Sequence, residues 1–364
     1  MMKILFLSFL VADLAMAGNW QPVASPSVGT GANSLSSVAS AADNDIWATG
    51  WAYNSQLLAY RTVIEHWNGS KWSVVKSPNA STGYNLLNGV AVVASNDVWA
   101  VGNAAIGNNY STLIEHWNGS AWNTVSSPNV PGSSNVLSGV SVIAANDIWA
   151  VGYSQNANFV FQPLALHWDG TAWSIVTTPG QSRLIAVDGT ASNDVWATGE
   201  TEPGEQSLTM HWDGNTWSVV PSPNDSTEDN ILFGVAALAS NDVWAVGSAG
   251  SLKTLAIHWD GTRWNLVPTP TFVYPKNNGV LVGIVALSSS DIWAAGQILQ
   301  GSVEQTLSEH WDGSSWSMVS SPNVKNSNNR LAAITVTPNG TLWAVGTTGV
   351  FAKPEQTLIL RKTP

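Results

Sequence analysis

The chain has 364 residues, 10% of them charged and 44% hydrophobic, and it contains no cysteine. So small a charged fraction points to strands buried on both faces, and the missing cysteines exclude a disulfide framework. The 13 Lys plus Arg against 24 Asp plus Glu leave a net charge of −11, which repels a phosphate backbone, so no nucleic-acid partner is expected.

In chain order, the first feature is a basic start, Met1-Met2-Lys3, then an apolar run from Ile4 to Ala12 and the small-residue tract Leu14-Ala15-Met16-Ala17. This pattern predicts a secretory signal peptide over 1–17, cut after Ala17, and a secreted or cell-surface product. Asp13 interrupts the tract, and the alternative is an extra buried strand. The run is too short to span a bilayer, and no other run reaches that length, so no transmembrane segment is expected.

From residue 45 onward a motif repeats. Asp-x-Trp-Ala-x-Gly occurs at 45–50, 97–102, 147–152, 194–199, 242–247 and 291–296, with a weaker copy at Gly340–Gly346. The spacing is roughly 50 residues, which suits four short strands per unit. In the second unit, Leu87–Val93 reads as strand a and Val98–Val101 as strand b. Thr112–Trp117 follows as strand c and Ala121–Val125 as strand d. Asn118-Gly119 between c and d predicts a tight hairpin in which both residues take positive φ. Pro128 marks the end of strand d, because proline cannot donate to a ladder.

The last unit runs to Lys362 and stops without a strand d, while Trp20-Gln21-Pro22-Val23-Ala24-Ser25-Pro26 matches Trp72 to Pro78 position by position. The expected architecture is therefore all-β, a seven-bladed β-propeller of four-stranded antiparallel blades closed by its N-terminal strand. Residues 18–364 form one domain in this reading, with 19–25 supplying the outer strand of the last blade and so removing an exposed edge. Twenty of the 21 tryptophans obey the repeat; Trp51 alone does not. All six histidines occupy one place on strand c, which predicts an Asp–His hydrogen bond between strands rather than catalysis or metal binding.

These units resemble bacterial secreted propellers of the kelch-like kind, through Asp-x-Trp-Ala-Val-Gly and Trp-Asp-Gly-x-x-Trp. The resemblance covers nearly the whole mature chain and implies the fold, not an activity. One unit, Ile334 to Trp343, is also similar to the repeat of streptogramin-lyase propellers. The sialidase Asp-box and the spacing of WD-repeat proteins are not met.

The repeat also selects a face. The a–b and c–d turns are monotonous, whereas the b–c and d–a connections vary, and variable loops on a rigid scaffold commonly carry binding. Aromatic residues outside the repeat gather in those connections: Trp51, Tyr53, Tyr60, Tyr84, Tyr110, Tyr153, Phe159 and Phe161. They suit a neutral glycan or a protein hot spot, with self-packing of the loops as the alternative. Glu200, Glu202 and Glu205, with Asp225, Glu228 and Asp229 in the next d–a loop, are candidate Ca²⁺ ligands, an attraction for a basic partner, or a solvated acidic patch. No cofactor is otherwise expected. No nucleophile elbow, phosphate loop or zinc-type cluster occurs. The expected function is an extracellular non-enzymatic binding or scaffold propeller. The alternatives are a polysaccharide hydrolase or lyase using the acidic loops, and a structural component of a surface assembly.

Overall fold

The structure is a computed structural model describing residues 19–250, 253–270, 278–350 and 353–364. The expected signal peptide at 1–17 lies outside them. The described residues form 28 strands arranged as seven four-stranded antiparallel sheets, the blades of a β-propeller. They contain no helix long and apolar enough to cross a membrane. In blade 1 the strands are a (Asn33–Ala42), b (Asp45–Asn54), c (Ala59–Trp67) and d (Trp72–Val75). Blade 7 takes a, b and c from Asn328–Val336, Leu342–Gly349 and Gln356–Lys362, and its d strand is Gln21–Val23. There Gln21, Pro22 and Val23 pair with Arg361, Leu360 and Ile359, so the first described strand closes the ring on the last.

Strand a of every blade carries a bulge at one place, between Leu35 and Ser37 in blade 1 and between Leu331 and Ala333 in blade 7. A bulge bends and twists its strand. The seven innermost strands surround a central channel of about 390 Å³, and the bulged residues Ser36, Asn88, Ser138, Ile185, Phe233, Val282 and Ala332 line it. The bulge also explains the motif glycine. A Cβ on Gly50 would lie 2.0 Å from the Ser34 carbonyl oxygen, so the backbone fits only without a side chain.

The tryptophans pack across the seams between blades. Trp47 of strand b lies 5.1 Å from Trp117 and 5.4 Å from Trp122 of the next blade, with His66 stacked 4.2 Å behind it. The same contacts recur around the ring to Trp343, which meets Trp67 and Trp72 at 4.9 and 5.6 Å. All six histidines bond the motif aspartate through Nε2 at 2.7–2.9 Å, as in His66–Asp45 and His211–Asp194. Blade 7 replaces its His-Trp pair with cations: Arg361 sits over Trp343 at 5.4 Å and Lys362 over Trp293 at 4.6 Å. Cation–π contact on a buried ring takes the place of ring stacking there, and desolvation lowers the Lys362 ammonium from its usual range.

The c–d turn differs from its expected form. Gly119 has positive φ (88°) but Asn118 does not. The Asn118 Oδ1 instead accepts from the backbone N–H of Ser120 and Ala121 at 3.1 and 3.0 Å. This side-chain turn needs only one left-handed residue.

Candidate functional site

The d–a connections vary in sequence but are held by one recurring device. A buried asparagine opens strand a in five blades: Asn33, Asn85, Asn135, Asn230 and Asn329. Each folds its amide back onto the preceding loop. Asn33 accepts from the Val28 N–H at 2.8 Å and donates to the Gly31 carbonyl at 2.9 Å. Sequence reasoning passed over these residues, although their recurrence just ahead of each strand a was the available signal. In blade 4 the loop is shorter and Ser182 stands at this place, its buried Oγ without a partner. These five d–a loops are therefore each tied to the strand that follows them.

Aligning the blades on the motif glycine places the off-repeat tryptophan. The residue after that glycine is Trp51, Asn103, Tyr153, Glu200, Ser248, Gln297 and Thr347 in blades 1 to 7. It pairs at one register with strand a, as in Trp51↔Ser34, Glu200↔Arg183 and Thr347↔Arg330. Trp51, Tyr153 and Glu200 thus share one position in three blades. The four other members were not anticipated, because their side chains are unremarkable until the glycines are superposed.

The candidate aromatics form two groups. Tyr60 is the hub of the first, meeting Trp51, Tyr84 and Tyr53 edge-on at 4.8, 5.1 and 5.3 Å. Arg61 fixes the loop that carries Tyr84 by donating to the carbonyls of Ser81, Thr82 and Gly83 at 2.8–3.1 Å. A cleft of about 240 Å³ opens beside this group, between Val28–Thr30 and the hairpin residues Tyr53–Gln56, with Arg61 in its lining. In the second group Tyr153 meets Phe161 at 5.3 Å, and the Arg183 guanidinium lies 4.8 Å over the Phe161 ring. Burial pushes the Tyr153 hydroxyl above its usual range; Arg183 opposes the shift and Tyr110 adds to it. Phe159 joins neither group: it stands exposed at the tip of the blade 3 hairpin with φ of 61°. Leu57, Leu58 and Ile106, exposed on the hairpins of blades 1 and 2, were also missed by sequence reasoning.

Three of the six acids meet a cation. Arg183 contacts Glu200 at 2.6 Å and Glu202 at 2.9 Å, and Lys253 pairs with Asp225. Burial raises the Glu200 carboxyl to about 7; Arg183 works against this, while Glu205, Glu202 and Asp229 add to it. Glu205 is raised chiefly by the Asp229 carboxylate facing it. Among the described residues no group of three or more acidic or imidazole side chains could hold a metal ion. Arg183 and Lys253 thus engage three of the six acids named as Ca²⁺ candidates, Glu200, Glu202 and Asp225.

No family model matches the chain, and no curated protein is similar to it. Among solved structures it is similar to YCF48 bound to D1 peptide, with 15% identity over 96% of this chain and 98% of that one and a TM-score of 0.58. The SapL1 lectin in complex with alpha methyl fucoside matches at 15% identity over 81% of this chain and 97% of its own, with a TM-score of 0.51. The extracellular domain of the putative one component system BT4673 from B. thetaiotaomicron matches at 9% identity over 93% of this chain and 39% of its own, with a TM-score of 0.56. These distant likenesses show one thing, the fold: the chain is a seven-bladed β-propeller.

Proposed function

We propose that the chain is an extracellular, non-enzymatic propeller, exported by residues 1–17, that binds a glycan or protein through its b–c/d–a face. One observation carries this reading. The strand-b residue after the motif glycine is a different amino acid in all seven blades, aromatic, carboxamide, hydroxyl or carboxylate, although the motif before it barely changes. Packing between blades has no use for that variety, whereas recognition of an asymmetric ligand needs it. Trp51, Tyr53, Tyr60, Tyr84, Tyr110, Tyr153 and Phe159 are the proposed contact residues. The distant neighbours support a binding role in kind, one being held with a peptide and another with a fucoside.

Glycan-array and pull-down measurements on the wild type, Trp51→Ala and Tyr110→Ala test the reading. Captured ligand is expected to fall at least about tenfold in one variant or the other, as for a buried aromatic anchor. Undiminished capture in both removes the aromatic site. A second reading, polysaccharide hydrolysis or elimination, draws on Glu200, raised to about 7 beside further carboxylates, since such a group suits proton transfer near neutrality. It ranks second because Arg183 engages both Glu200 and Glu202. Turnover on a polysaccharide panel that disappears in Glu202→Gln would reverse the order.

A further inference from the structure

We propose that the variable face docks a protein segment that is apolar at one end and cationic at the other. The segment lies across the b–c hairpins of blades 1 to 3 and the acidic rim of blades 4 and 5. This deepens the binding reading above and rests on it.

The apolar half is defined by where bulky residues stand. The hairpins of blades 2, 5 and 6 turn through left-handed glycines: Gly107 (φ 62°), Gly250 (52°) and Gly301 (67°). Glycine enters that region without strain. The longer hairpins of blades 1 and 3 instead place Leu58 (φ 50°) and Phe159 (61°) in that region, 69% and 78% exposed. A bulky side chain there strains the backbone, and its exposure gains no packing. The two-residue hairpins of blades 2 and 6 reach the left-handed region at Gly107 and Gly301 without that cost. Leu57 and Ile106 are also exposed, so the hairpins of three consecutive blades each present an apolar side chain on this face, and exposed apolar side chains grouped on one face mark a contact site.

The cationic half is defined by charge. Arg183, over Phe161 and against Glu200 and Glu202, shows that this rim holds a guanidinium by ring face and carboxylates together. One guanidinium leaves the rim acidic. Glu205 and Asp229 face each other, and the cation acting on Glu205 is Arg183, already engaged. Glu200, 3% exposed, keeps Oε2 without a hydrogen-bond partner. A neutral sugar makes no use of this charge, and an anionic lipid surface is repelled by a chain of net charge −11. A protein segment carrying Lys or Arg beside an apolar stretch satisfies both halves.

Selection of a random peptide display library on the full chain tests the proposal. The enriched peptides are expected to join Leu, Ile or Phe to Lys or Arg, and their binding should weaken with salt. Leu58→Gly with Phe159→Gly should weaken that binding by about tenfold or more while leaving the melting temperature unchanged or higher, because glycine relieves the turn. No enrichment, enriched peptides lacking basic residues, or full affinity in the glycine variant overturns the proposal. So does capture by phosphatidylglycerol vesicles in place of peptide, which assigns the face to membranes. A glycan-array signal without peptide enrichment removes this proposal and keeps the binding reading; silence in both removes both.

Discussion

Raising the pH from the acid range to mild alkali is expected to cost this propeller several kcal/mol of stability, and replacing three buried glutamates should remove most of that loss. Glu65, Glu115 and Glu309 occupy one position on strand c of blades 1, 2 and 6, each 0% exposed. Blades 3, 4, 5 and 7 hold Leu166, Met210, Ile257 and Leu360 there, all buried. Desolvation raises each glutamate from 4.5 to about 8. Glu65 is partly relieved by the Ser25 hydroxyl, 2.9 and 3.1 Å from its two oxygens. Ser77 and Thr254 lie close enough to oppose the shift at Glu115 and Glu309, but neither reaches hydrogen-bonding geometry, and all four carboxyl oxygens stay unpartnered.

The sign follows from proton uptake. A folded pKa above the unfolded one means that the folded chain holds protons the unfolded chain has released. The contribution of these groups is therefore full below about 4.5 and is lost as pH rises toward about 8, above which the loss levels off. Thermal melts of the wild type and of Glu65→Leu/Glu115→Met/Glu309→Leu across this range make the check. The triple variant should melt higher at neutral pH and show a shallower profile, the remaining slope including that of Glu200, raised to about 7. An unchanged slope contradicts the assignment.

The second large effect belongs to the closing strand. Trp20 is 4% exposed, meets Trp293 edge-on at 6.3 Å and donates from Nε1 to the Ser308 hydroxyl at 3.1 Å. The other six strand-d tryptophans, Trp72 to Trp316, leave the same indole N–H unpartnered. Trp20→Ala is expected to cost about 3–5 kcal/mol, the usual figure for a buried aromatic. Trp122→Ala should cost a similar amount through lost packing, but its strand is covalently continued on both sides. Strand d of blade 7 is joined to its own blade only through pairing, so Trp20→Ala alone should free the edge of Gln356–Lys362. Hydrogen exchange separates the two: Ile359 and Arg361 amides lose protection in Trp20→Ala and keep it in Trp122→Ala. Protection retained in both would mean that the ring is closed without Trp20.

The fold was legible because seven copies of one unit repeat the same packing problem. Asp45, Trp47 and Gly50 each have a cause that recurs, namely the histidine bond, the seam and the bulge, so each recurs in the sequence. The closing strand was legible because Trp20 to Pro26 keeps that pattern out of place. The site was legible only where it breaks the period, as Trp51 does. Glu200 shares a position with Trp51, but this emerges only when the motif glycines are aligned, and its partner Arg183 lies on another strand. The buried glutamates were illegible for a related reason, since Ile64-Glu65-His66 looks like any alternating strand until the preceding blade covers it. Leu58 and Phe159 carry no pattern, because a left-handed turn is ordinarily glycine's.

The claim that the repeat is scaffold and the b–c/d–a face is the site can be tested on a chain that has no cysteine of its own. A single cysteine at Ser55, on the blade 1 b–c hairpin, or at Ser120, in a c–d turn on the opposite face, gives one attachment point for a polyethylene glycol chain. Ligand capture should be lost with the polymer at Ser55→Cys and kept with it at Ser120→Cys. Loss at Ser120→Cys with capture retained at Ser55→Cys would place recognition on the monotonous face and contradict the account.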